Sequence, residues 1–170
     1  MASPDPWIER LARLFREHPA WREAARLIDP RSTSSVFFTH RPREAWHLER
    51  RGDETLLLPG PAADPDFAFR FAPGAIERLE AVQGGVGEFA AELFARILSS
   101  EPDTRVELRI AAGFARLLRH GYVRLLLAAG PRVRELGVAH GVLRLRDLRR
   151  LVSVLRGAER PAWERASSTV

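Results

Sequence analysis

Apolar residues recur at helical spacing from the start of the chain. Asp5 and Pro6 form a cap and first-turn pair, and Trp7, Leu11, Leu14 and Phe15 then share one face, which predicts a first helix. Pro19 breaks that helix, and Trp21, Ala24, Ala25 and Ile28 carry a second stripe up to Asp29-Pro30. From Ser34 the period changes to that of strands. Ser34 to His40 is rich in β-branched and aromatic residues, and Ala45 to Arg50 alternates Trp46 and Leu48 with His47 and Glu49. Arg51-Gly52-Asp53 is a turn, Leu56 to Leu58 a further strand, and Asp66 to Phe71 puts Phe67, Phe69 and Phe71 on one face.

Helical spacing returns at Pro73, with Ile76, Leu79 and Val82, and ends at Gly84-Gly85. Glu88 to Leu98 reads as an amphipathic helix with Phe89, Leu93, Phe94 and Ile97 on one side, and Thr104 to Ile110 alternates as a strand. Beyond Gly113, a single stripe of Phe114, Leu117, Leu118, Tyr122 and Leu125 predicts one helix, broken at Gly130-Pro131. Leu143 and Leu145 alternate with Arg144 and Arg146 as in a short strand, and Asp147 is placed to cap a helix up to Arg156. Residues 158–170 read as a flexible tail, leaving 1–157 as a single domain without internal repeat or linker.

Composition changes this picture by exclusion. The chain has 170 residues, 45% of them hydrophobic and 29% charged, which suits one globular domain. Cysteine is absent, so disulfides, thiolate ligands and a cysteine nucleophile are all excluded. All 27 basic residues are arginine, and without lysine there is neither a Schiff base nor a P-loop lysine. Neither a secretory signal nor a run of about 20 apolar residues is visible, so the protein is read as cytoplasmic.

The net charge of +5 is unevenly spread: residues 1–103 hold 13 Arg against 17 acids, and residues 104–156 hold 12 Arg against 3. The basic half either folds against the acidic half or meets an anionic surface. Arg116, Arg119, His120 and Arg124 fall on one side of the wheel opposite the Phe114 stripe, which makes Arg116, Arg119 and Arg124 candidates for transient contact with an anionic membrane. A second cluster, Arg144, Arg146, Arg149 and Arg150, has no interleaved aromatics, so nucleic acid is an unfavoured partner.

Candidate chemistry is sparse. Gly85-Val86-Gly87-Glu88-Phe89-Ala90 matches a variant dinucleotide fingerprint, with Glu107 about 20 residues on, but a helix-like segment precedes it where the fingerprint needs a strand. A glycine turn between helices is the competing account. The five histidines lack metal-ligand spacing; His40 and His47 fall where they could face one another across a hairpin, but a satisfied or exposed imidazole is the commoner outcome for such a pair. No serine sits in a nucleophile elbow, and the carboxylates are scattered singly. No catalytic residue, metal site or cofactor is therefore assigned.

From Ser34 to Leu79 the layout resembles the sterol carrier protein type 2 (SCP2-like) family of lipid carriers and accessory proteins. The matching elements are Ser35-Val36-Phe37-Phe38, then Trp46-His47-Leu48-Glu49 with its Gly52 turn, and Leu56-Leu57-Leu58. Ala63-Asp64 before Phe67-Ala68-Phe69 and a helix with Ile76 and Leu79 complete them. The resemblance implies an α+β fold with a curved, mostly antiparallel sheet of about five strands covered by helices, here with an N-terminal helical hairpin and a helix-rich C-terminal half. It also implies an apolar tunnel for a sterol, fatty acyl chain or isoprenoid tail, and no catalytic residues. After Leu79 the chain departs from the family, whose short loop, small helix and strand are replaced by a glycine turn and long helical segments. Trp46, Leu48, Phe67, Phe69, Phe71, Phe89, Leu93 and Tyr122 are the expected ligand-lining residues, with plain core the commoner role for each. The alternative is a protein-interaction or regulatory module whose basic half docks an acidic partner or nucleic acid. An enzyme that holds a nucleotide at the Gly85 turn is the third class. The oligomeric state is not legible.

Overall fold

The computed structural model describes residues 5–139, 152, 156 and 161–166. Helix α1 (Pro6–Glu17) starts where the Asp5 carboxylate accepts the Trp7 backbone N–H at 2.9 Å, and α2 (Pro19–Leu27) restarts on Pro19 after the break at His18. Strands β1 (Ser34–Phe38), β2 (Arg41–Arg51) and β3 (Glu54–Pro59) follow as consecutive hairpins, the second turning at Gly52 with φ of 65°. In the first hairpin Phe38 faces Arg41 but Phe37 faces Ala45, so residues 42–44 bulge out of the ladder. Pro42, which has no N–H to give the ladder, lies in that bulge.

Strand β4 (Phe67–Phe71) runs parallel to β1, and β5 (Val106–Ile110) is antiparallel to β4, giving one five-stranded sheet in the order β3-β2-β1-β4-β5. This is the mostly antiparallel α+β architecture that the resemblance implies. Between β4 and β5 lie α3 (Pro73–Glu80), α4 (Val86–Leu98) and a 3-10 turn at Pro102–Thr104.

The two faces of the sheet differ because period-two alternation separates their residues. Val36, Phe38, Trp46, Leu48, Phe71 and Val106 face the helices and form the main core with Leu11, Leu14, Phe15, Ile76, Leu79 and Phe89. Each such fully buried large side chain contributes roughly 1.5–3 kcal/mol. Polar ties help fix the helical hairpin to the sheet: Trp21 Nε1 donates to Thr55 Oγ1 at 3.1 Å, and Arg50 donates to the Ile28 carbonyl at 2.9 Å, capping the end of α2. Helix α4 is apolar on two sides, since Phe89, Leu93 and Ile97 pack on the sheet while Phe94 joins Ala24, Val86, Ala129 and Val133 in a second cluster.

The single helix expected between Gly113 and Gly130 is instead two, α5 (Phe114–Arg119) and α6 (Tyr122–Ala128), and α7 (Gly130–Ala139) follows the expected break at Gly130. Gly121, with φ of 86°, and Gly130, with φ of 78°, make the breaks. At Gly121 a Cβ would meet the Leu27 carbonyl at 2.2 Å, so only glycine admits the end of α2 at this distance. The re-aimed axis places Leu118, expected in the apolar stripe, half in solvent at 50% exposure.

The expected strand at Leu143–Leu145, the Asp147-capped helix and the 144–150 arginine cluster lie outside the described residues. Within the stretch read as a flexible tail, Ala162–Ala166 form a short helix, α8. It docks on the outer face of the sheet, Trp163 meeting Phe37 edge-on at 5.0 Å and Glu164 pairing with Arg109, because Phe37 would otherwise leave a phenyl ring uncovered on that face.

Candidate functional site

The row of rings on β4 grades from sealed to open. Phe71 is 1% exposed beneath Phe15 and α3, while Phe69 and Phe67 remain half-buried. Neighbouring rings lie 5.8 and 5.9 Å apart, so the three form one continuous apolar strip. Leu108, opposite Phe69 on β5, is also half-buried, as are Leu93 and Ile97 on α4. Phe67 ends the strip against Tyr122 of α6, edge-on at 4.7 Å, in a third cluster with Ile110, Ala112 and Leu117.

Of the eight expected lining residues, Trp46, Leu48, Phe71 and Phe89 are thus enclosed in the main core, and Phe69 and Leu93 pack at its margin. Phe67 and Tyr122 belong to the third cluster. Neither of the two cavities described next is lined by any of the eight.

A cavity of about 320 Å³ opens on the opposite, outer face of the sheet. Its walls include Ser35, Phe37, the 61–65 crossover loop, Arg109 and Glu164. Ala62 N–H donates to Ser35 Oγ at 3.1 Å, which holds the loop across the sheet. The Arg109–Glu164 ion pair closes one side, so the cavity's cation is already neutralised. A second cleft of about 310 Å³ lies between Arg13, Glu17, His18 and Glu80.

A buried polar cluster stands beside the strip, and the carboxylates scattered along the chain gave no sign of it. Asp66, with no solvent exposure, accepts from Ser32 Oγ at 2.7 Å and from His120 Nδ1 at 2.6 Å. Arg116 Nε stands 2.7 Å from its other oxygen as an ion pair, off the line of a hydrogen bond. The Tyr122 hydroxyl donates to Ser32 Oγ. Burial, only partly offset by the Ser32 hydrogen bond, pushes the Tyr122 phenol up, so it stays a neutral donor. The Asp66 carbonyl accepts from Ala111 and Ala112 at 2.9 and 3.1 Å. Ser32 and His120 both bind the carboxylate rather than each other, so this is a clamp joining β4, β5, α5 and α6 rather than a nucleophile with its base.

That clamp corrects the reading of the basic helix face. Arg116 is committed to Asp66 and Asp64, and His120 is 8% exposed, so only Arg119 and Arg124 point to solvent. His40 and His47 do not pair across the hairpin; each imidazole is satisfied separately, His40 by Asp5 at 2.9 Å and His47 by the Gly60 carbonyl at 2.8 Å. Among the described residues no group of three acidic or histidine side chains is placed to hold a metal.

At the glycine motif, α3 precedes Gly85, and Gly85 is the N-cap of α4. A Cβ on Gly87 would meet the Ala129 carbonyl at 2.8 Å, so this glycine serves the close approach of α4 to the start of α7. Glu107, the ribose candidate, faces Arg70 at 3.6 Å across the β4–β5 ladder. No described helix is long and apolar enough to cross a membrane.

No family model and no curated protein matches the chain. Among solved structures, it is similar to one described as "UbiJ-SCP2 Ubiquinone synthesis protein", at 18% identity and a TM-score of 0.40 over 72% of this chain and 90% of that one.

Proposed function

We propose that the protein is a non-catalytic binder of an apolar ligand, an acyl or isoprenoid chain, accommodated where the β4–β5 end of the sheet meets α4. The observation that supports this is the graded row on β4, in which Phe71 is sealed but Phe69 and Phe67, on the same helix-facing side, are only half-covered. Half-buried Leu108, Leu93 and Ile97 complete an apolar surround with no charged side chain in the row. A chain laid along the strip gains about 0.8 kcal/mol for each methylene it buries. The neighbouring polar groups are bound to one another in the Asp66 clamp, so selectivity would come from shape and apolar area.

Two truncations on one strand test the reading. Phe71→Ala should cost roughly 3–5 kcal/mol, as the transfer and cavity contributions add at a sealed site. Phe69→Ala should cost clearly less stability and yet weaken uptake of a fluorescent fatty acid at least severalfold. A wild-type protein that takes up no probe, with both variants equally destabilised, leaves a packed core and removes the proposal.

A further inference from the structure

We propose that the outward faces of α5, α6 and α7 form a docking surface for an anionic phospholipid bilayer. This surface is separate from the β4 strip and does not depend on a carried ligand. Four large apolar side chains are exposed among the described residues, and three of them, Leu118, Leu127 and Val138 at 50%, 76% and 47% exposure, lie on these three helices. Arg119 adjoins Leu118, and Arg124 lies three residues before Leu127, on the same face of α6. Both arginines are exposed and make no ion pair among the described residues. Arg116, one turn before His120, is by contrast held by Asp64 and Asp66. Glu135 is the one acidic residue within α5 to α7.

The chemistry of the face selects the occupant. Leucines set singly between arginines match the boundary between headgroups and acyl chains, where the aliphatic groups enter and the guanidinium groups reach phosphate. A protein partner is instead anchored by clustered aromatic side chains. Here the aromatics of this region turn inward, Phe114 and Tyr122 packing against Phe67, Ile110 and Leu117. A nucleic-acid groove would have no use for Leu127, the most exposed of the apolar side chains.

Flotation with vesicles of phosphatidylcholine alone, or mixed with phosphatidylglycerol, tests this. Binding is expected only to the mixed vesicles, and added salt should weaken it. Arg119→Glu and Arg124→Glu should each weaken it by about fivefold or more. Leu127→Asp and the milder Leu118→Ala should weaken it at low salt, whereas Arg43→Glu, an exposed reversal on β2, should not. These positions are exposed, so circular dichroism and melting temperature should match wild type. Lack of binding to mixed vesicles at low salt overturns the proposal. So does binding that Arg43→Glu weakens as much as Arg124→Glu, or a preference for a DNA duplex or acidic peptide that abolishes vesicle binding.

Discussion

Asp5 shows how one side chain serves several contacts. It caps α1 through Trp7, accepts from His40 at 2.9 Å and meets Arg41 at 3.0 Å, so that a single carboxylate fastens the first helix to the β1–β2 hairpin. Burial opposes its ionisation, but the Trp7 N–H, His40 and Arg41 together outweigh that and hold the carboxyl below its ordinary value. A lowered folded pKa means that the stabilisation is complete above the unfolded value of about 3.9 and is lost as pH falls through the folded one. Asp5→Asn keeps a good cap but no charge. The variant should therefore be less stable than wild type near neutrality, with the two melting temperatures converging as pH drops below about 4. Parallel melting curves at every pH would show that the carboxylate charge is idle. The cap was legible from Asp5-Pro6, whereas its bonds to His40 and Arg41 were not, because periodicity carries no information across 35 residues.

At the scale of elements, alternation and helical spacing place the strands and the first four helices, since each has one face in the core and one outside it. They fail where a glycine changes direction. The stripe from Phe114 to Leu125 assumes one axis, but Gly121 and its contact with the Leu27 carbonyl impose two, which exposes Leu118. The Asp66 clamp ties the re-aimed helices to the sheet beside the apolar cluster of Phe67, Ile110, Leu117 and Tyr122. Asp66→Ala would leave His120 without its carboxylate and Arg116 with only the exposed Asp64, and is expected to cost about 3–5 kcal/mol. Asp64→Ala removes a carboxylate that is 82% exposed and should change stability by at most about 1 kcal/mol. Urea midpoints for both variants compare the two. Equal, small losses would mean that the clamp is not what fixes α5 and α6.

For the whole molecule, the pattern of buried positions specifies which face of each strand is covered but not which strand lies beside which. The parallel pairing of β1 with β4, which puts Val36 next to Phe69, is accordingly a property of the fold alone. So is the use of both sheet faces, with the helices on one and Trp163 of α8 against Phe37 on the other. The ligand residues read from the sequence divide for the same reason: an apolar residue facing inward looks alike in a core and in a binding strip. Coverage differs along the Phe67–Phe69–Phe71 row, and its half-covered end is where binding is proposed. Mass spectrometry of an organic extract of the purified protein tests this most directly. A species with an acyl or isoprenoid chain is expected in near-stoichiometric amount from wild type and depleted from Phe69→Asp, whereas identical extracts from the two, with no enriched lipid, would contradict binding at the strip.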